Sequence, residues 1–267
     1  DIQIAAGLAP KAKIVIYYAS SIPEAIHLAI HDNKNNPSVL SVSWAIAEDQ
    51  SPVAKRELLD LLCYKAALKG ITIVAASGDY GAYNNKTYPN VMLPASNPFV
   101  LGCGGTELYK QSQEAVWYSN DNNNHIHGSG GGYSAIYPIP NFQQKAISYY
   151  KTNVFPYGKI GRGIPDISAN SSPNTAYNIF FNGKSFIGAG TSAATPVWAA
   201  LIARLNKALG YRLGWINDII YKLEGSAAFK HVLKGNNGYF PATSGWDAAT
   251  GLGAPNGVEL NKAITAL

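Results

Sequence analysis

Two hydrophobic periods alternate along the first hundred residues. Residues 13–19 (KIVIYYA), 39–44 (VLSVSW), 71–76 (ITIVAA) and 99–103 (FVLGC) are short, nearly continuous apolar runs. That is the pattern of strands buried on both faces. Between them, residues 23–32 carry Ala25, Ile26, Ala29 and Ile30 at helical spacing, and 53–68 form a longer helical segment closed by Gly70. Strands separated by helices of this length predict βαβ units, hence an α/β fold with a mostly parallel sheet flanked by helices. In such sheets the side chains that do chemistry sit on loops at the C-terminal strand ends. Those ends are Ser43-Trp44 and Ser77-Gly78-Asp79.

Residues 107–163 break the pattern. An Asn-rich stretch at 120–124, a glycine cluster at 128–132 and several prolines read as long loops. Order returns with a strand pair around 178–181 and 184–187 and a long apolar helix over 192–209. No internal repeat or break in composition divides the chain, so one domain over 1–267 is expected.

With 267 residues, 47% of them hydrophobic, the chain can build one large core. Only 14% are charged, against about 25% in an ordinary soluble domain. A net charge of +5 on so apolar a chain excludes disorder, and no run approaches the ~18 apolar residues of a membrane span. The pI near 9.0 changes little, because Lys and Arg are scattered and form no stripe for nucleic acid. Cys63 and Cys103 are open to two readings, one disulfide or two buried thiols. The chain opens at Asp1-Ile2-Gln3-Ile4, without a Met or a basic leader, in what reads as an amphipathic helix. The expectation is that polypeptide upstream has been processed or left out.

The strongest local signal is Gly188-Ala189-Gly190-Thr191-Ser192-Ala193-Ala194-Thr195-Pro196, a strand end, a glycine turn and the start of a helix. A serine there lies beside unpaired backbone N–H groups and the positive end of the helix dipole. Its hydroxyl could attack a carbonyl while its own N–H holds the oxyanion. The plain alternative is that Thr191 or Ser192 is an N-cap, with Pro196 in the early turns, where a missing N–H costs least. Asp79 ends an apolar strand, where a turn aspartate is commoner than a catalyst. Asp1 taken alone is a helix-terminal charge. Of the five histidines, His127 followed by Gly128 and Ser129 is a weak candidate base for a conventional serine hydrolase, and His27 and His31 form an i,i+4 pair without a third metal ligand.

Eight segments in order, 1–13, 41–44, 76–79, 94–106, 130–134 with Pro138, 162–167 (RGIPDI), 190–196 and 245–253 (GWDAATGLG), resemble the sedolisin family, serine-carboxyl peptidases of subtilisin-like fold. The resemblance implies a three-layer α/β sandwich, with this chain as the larger, C-terminal part of a peptidase catalytic domain. It also implies an acid-acting endopeptidase that cuts a polypeptide substrate and works in a secreted setting or an acidic, lysosome-like lumen. Ser192 matches the nucleophile. Asp1 matches the aspartate that orients a glutamate base, and Asp79 the acid at the oxyanion hole. A carboxylate would repel an oxyanion, so Asp79 must be protonated to donate there. Trp44, Ala45, Gly78, Gly130, Gly131 and Gly132 match cleft walls.

Three departures accompany the match. The glutamate falls four residues before Asp1, outside this sequence, so a separate N-terminal chain that carries it is expected. The family's calcium site retains Asp247 but has His231 and Thr243 at other positions, so no bound metal and no cofactor are expected. Ala45 stands where a glycine is usual. The rival class is a catalytically inactive relative that uses the cleft to bind polypeptide.

Overall fold

A computed structural model describes residues 1–109, 113–120, 125–153 and 161–267, the side chains of 149–153 excepted. Its helices are α1 (Ile2–Leu8), α2 (Ile22–His31), α3 (Val53–Leu68), α4 (Gln144–Asn153), α5 (Thr191–Leu209), α6 (Asn217–Lys222) and α7 (Gly257–Thr265). The strands used below are β1 (Val39–Val42), β2 (Ile46–Ala47), β3 (Thr72–Ala76), β4 (Met92–Leu93), β5 (Leu101–Tyr109), β6 (Gln113–Val116), β7 (Tyr118–Asn120), β8 (Ile126–Gly128), β9 (Gly132–Tyr133), β10 (Gly163–Ile164), β11 (Ile167–Asn170), β12 (Tyr177–Phe181) and β13 (Lys184–Gly188).

The central sheet runs β1-β3-β5-β11, all parallel, with β6 antiparallel against the far half of β5. Alternation along β3 shows why it is covered on both faces. Ile73 and Ala75 pack with Ile26, Leu59 and Leu62 of α2 and α3. Val74 points the other way, into a cluster with Trp198, Ile202 and Leu205 of α5. The layers are therefore helix, sheet, helix, as the apolar runs predict.

The same geometry settles the cysteines. Cys63 belongs to the α2/α3 cluster and Cys103 to the α5 cluster, on opposite faces of the sheet. Both are buried free thiols, and burial pushes both well above the usual thiol range.

Two sequence expectations are corrected. Residues 13–19 are not a strand: they lie in no ladder of the described sheets, and Ile14 and Ile16 are 39% and 49% exposed. An apolar run suits a buried strand, but only a hydrogen-bonded neighbour makes one. Residues 107–163 hold more than loops, namely β6 to β9 and α4, with parts lying outside the described residues. Strands of two to four residues are too short to display a period.

The RGIPDI segment (162–167) is a buried ionic knot. Arg162 grips Asp166 with two hydrogen bonds of 2.9 and 2.7 Å and donates to Val100 O at 2.7 Å, and both side chains are fully buried. Asp166 also accepts from Gly102 N and Tyr221 Oη. The pair ties the start of β5 to the start of β11 and to α6.

Candidate active site

The start of α5 is built by its neighbours rather than by its own cap. Gly190 occupies the N-cap position with φ +91° and no side-chain cap. A Cβ there would lie 2.8 Å from Asp79 Oδ2, so the position needs glycine for its backbone and for its space. Asp79, just past β3, supplies the cap from across the sheet. Its Oδ1 accepts from Thr191 N and Thr191 Oγ1, both at 2.7 Å. Thr191 Oγ1 in turn accepts from Gly78 N at 3.2 Å. Thr191 and Ser192 are thus the first two helical residues and neither is the N-cap.

Ser192 is half-buried, and its hydroxyl donates to the backbone carbonyl of Ser43 at 3.4 Å. Ser43 follows β1, and its own hydroxyl donates to Asp1 Oδ1 at 2.9 Å. The structure therefore brings Asp1 from the head of α1, Asp79 from the end of β3 and Ser192 from the head of α5 to one place at the C-terminal end of the sheet. Asp1 reaches Ser192 through Ser43, and Asp79 reaches it through the neighbouring Thr191, so one hydroxyl and two carboxyl groups are assembled there.

The expected walls divide into two groups. Trp44, 79% exposed, and Ala45, also exposed, lie at the mouth on the segment leaving β1. Gly78 lies opposite with φ +112°, and a Cβ there would sit 2.5 Å from Asn84 Oδ1 and 3.3 Å from Met92 Cγ. Gly130, Gly131 and Gly132, expected as cleft walls, are buried. Gly130 N donates to Gly78 O at 2.8 Å, and Cβ atoms at Gly130 and Gly131 would lie 2.2 Å from Ser77 O and 2.1 Å from Ala248 O. They let backbones pack under the cleft.

Glu48 is the residue that sequence reasoning passed over, and Ser43 was placed by sequence only as part of a parallel strand's C-terminal end, without a role of its own. Glu48 is buried just after β2 and accepts from Ser134 Oγ at 2.7 Å and Ala135 N at 3.1 Å, so it ties the mouth segment to the far wall. Burial pushes its carboxyl above the usual range. His127 lies on β8, its ring centroid 6.0 Å from that of Tyr80, whereas the Ser192 hydroxyl is directed to Ser43. His27 and His31 are exposed on α2 with rings 4.3 Å apart. Among the described residues no group of three metal-ligating side chains occurs.

This geometry has known counterparts. The profile of the Subtilase family (Peptidase S8) matches residues 1–253. Kumamolisin from Bacillus sp. (strain MN-32) is 36% identical over 280 residues, covering 99% of this chain and 50% of the relative. Sedolisin from Pseudomonas sp. (strain 101) is 32% identical over 265 residues, covering 92% and 43%. The solved structure of Pseudomonas sedolisin, a serine-carboxyl proteinase complexed with pseudo-iodotyrostatin, superposes with a TM-score of 0.82 at 32% identity, covering 93% of this chain and 71% of that one. The chain belongs to the sedolisin family. The structure of Sphericase, TM-score 0.59 at 20% identity, agrees in fold alone. The chain spans about half the length, or less, of the curated sedolisins it matches. Among the described residues no helix is long and apolar enough to cross a membrane.

The calcium position of sedolisins fits poorly here. Asp247 is fully buried and its carboxylate is already engaged, by Thr243 N at 3.1 Å, Ala249 N at 2.9 Å, Thr250 N at 2.7 Å and Thr250 Oγ1 at 3.2 Å. Burial raises its carboxyl to about 7 despite these donors. His231 is exposed and offers nitrogen. One buried hydroxyl, Thr243 Oγ1, lacks a partner, but one neutral oxygen beside one saturated carboxylate is far short of the ~6–8 oxygens calcium takes.

Proposed function

We propose that this protein is an acid-acting serine-carboxyl endopeptidase. The observation that carries the reading is the convergence of Asp1, Asp79 and Ser192, through Ser43 and Thr191, at the C-terminal end of one parallel sheet. Ser192 Oγ attacks the peptide carbonyl, and the acyl-enzyme that results is hydrolysed by water. Asp79 Oδ1 is occupied by Thr191, so Oδ2 is the oxygen that carries a proton toward the oxyanion, together with the Ser192 N–H. That donor exists only in acid, which gives the pH preference its chemical cause.

The base is a glutamate on polypeptide outside this sequence, one helical turn before Asp1, where i,i+4 side chains share a face. We infer that this polypeptide packs against the β1 edge of the sheet. In support, β1 pairs with β3 alone among the described strands, and Ile14, Ile16 and Tyr18 nearby are exposed. An uncovered sheet edge beside apolar side chains is a surface that proteins ordinarily cover. The substrate is an extended polypeptide laid along the segment after β1, past Trp44 and Ala45. The enzyme works without bound calcium, in a secreted or acidic-lumen setting.

The test is peptide hydrolysis from about pH 3 to pH 8, compared with Ser192→Ala and paired with a denaturing mass spectrum. Acid-peaked hydrolysis that disappears in Ser192→Ala, with mass in the spectrum beyond these 267 residues, is expected, and His127→Ala should leave it nearly unchanged. No hydrolysis at any pH would instead favour the inactive relative that only binds polypeptide.

A further inference from the structure

Ser43 meets three elements at once, and Pro196 explains why. In a regular helix the carbonyl of Ser192 accepts from the N–H four residues on. That residue is Pro196, which has none. It stands sixth in α5, beyond the free first turn, so it leaves the nucleophile's own carbonyl without its helical donor. Ser43 Oγ lies 3.3 Å from that carbonyl and 2.9 Å from Asp1 Oδ1. One hydroxyl proton thus faces two acceptors, one on the residue that orients the base and one on the nucleophile. The backbone carbonyl of the same Ser43 accepts the Ser192 hydroxyl at 3.4 Å.

We propose that Ser43 is a positioning residue that couples Asp1 to Ser192, made necessary by Pro196. Its backbone holds the nucleophile's hydroxyl and its side chain fixes the first turn of α5 and the carboxylate of Asp1 in one register. With Asp1 ionised, the hydroxyl proton goes to Oδ1. When Asp1 carries a proton, Asp1 can donate to Ser43 Oγ, and the Ser43 proton then turns to the Ser192 carbonyl. Among the described residues the acids at this cluster are Asp1, bonded to Ser43, and Asp79, bonded to the adjacent Thr191, together with the glutamate assigned above. The inference rests on the peptidase reading for its kinetic consequence, and on Pro196 alone for its structural one.

Two measurements on the native protein test it. The first is a double-mutant cycle in thermal unfolding, independent of turnover. Ser43→Ala should lower the melting temperature by about 2–4 °C in the wild-type background. It should lower it far less in Pro196→Ala, where a restored N–H serves the Ser192 carbonyl. Equal shifts in both backgrounds overturn the link. The second is steady-state kinetics. Ser43→Ala should lower kcat about tenfold or more with KM within about twofold, and Ser43→Thr should restore most of the loss. Wild-type hydrolysis with an undiminished kcat in Ser43→Ala overturns the positioning role while the peptidase reading stands. A wild-type protein that hydrolyses nothing overturns both that reading and the kinetic role, and leaves the unfolding cycle to decide the Pro196 link.

Discussion

Replacing Asp79 separates two tasks that the structure assigns to its two oxygens. Oδ1 holds the start of α5 through Thr191 N and Oγ1, both at 2.7 Å. Oδ2 lies toward Gly190, at the head of the helix where the oxyanion forms. Asn offers a carbonyl oxygen in place of Oδ1 and an N–H donor in place of protonated Oδ2, so Asp79→Asn keeps both tasks. Asp79→Ala keeps neither. Loss of one oxyanion donor costs about 10²–10³ in kcat, or about 2.7–4 kcal/mol of transition-state stabilisation. Loss of the helix contacts costs a further ~1 kcal/mol or more of stability per hydrogen bond. In acid, Asp79→Asn is therefore expected within about tenfold of wild type, and Asp79→Ala lower by the full donor contribution. The pH dependence carries the sharper sign. A carboxyl stops donating as pH rises through its titration, whereas an amide does not titrate. Asp79→Asn should consequently hold activity to higher pH than wild type, while the carboxylate base only improves in that direction. The assay is kcat against pH on a chromogenic peptide, with melting temperatures recorded for each variant. If Asp79→Asn loses as much as Asp79→Ala at every pH while keeping its melting temperature, Asp79 is not a neutral donor and the reasoning fails.

Two further outcomes concern the scaffold. Removing one partner of the buried Arg162–Asp166 pair strands a charge among fully buried groups, so Arg162→Met or Asp166→Ala should cost about 3–5 kcal/mol in denaturant unfolding. Replacing both by apolar residues should recover part of that loss, and additive losses would contradict the pairing. Because the Asp247 oxygens are already satisfied by the Thr243, Ala249 and Thr250 donors, a calcium chelator should leave the melting temperature unchanged. A drop of more than about 2 °C would show that calcium is held after all.

The sheet was legible where a run of residues is buried for a single reason. Thr72–Ala76 is apolar because both faces are covered, and the sequence shows that directly. Residues 13–19 are as apolar, yet they lie in no ladder and are largely exposed: an apolar run shows what a segment could bury, and pairing depends on a neighbour whose position lies elsewhere in the chain. The cysteines show the same limit. Two thiols 40 positions apart look pairable until Cys63, on α3, falls in the α2/α3 cluster and Cys103, on β5, in the α5 cluster on the other face of the sheet. The burial of the glycines at 130–132 was not legible, because glycine marks both an exposed turn and a close backbone approach. Only the 2.2 Å and 2.1 Å distances to Ser77 O and Ala248 O distinguish the two.

In the candidate site, the side chains proposed to react stand out in sequence more than those that hold them. Ser192 and Asp79 stand in short motifs whose chemistry is local, a hydroxyl at a helix start and a carboxyl at a strand end. Ser43 has no motif of its own. Its role depends on a carbonyl freed by Pro196 and on a hydroxyl 149 positions away in sequence. From sequence alone, Pro196 reads as an early-turn residue whose missing N–H costs least. In the structure it is the sixth residue of α5, and the N–H it lacks is the one due to the nucleophile's own carbonyl. The proline therefore costs α5 a bond, and a serine just past β1 fills the gap. That substitution fastens the nucleophile's turn to the strand along which the substrate is to lie and to the helix that presents Asp1. A regular helix at this position would satisfy its own backbone and leave that connection unmade.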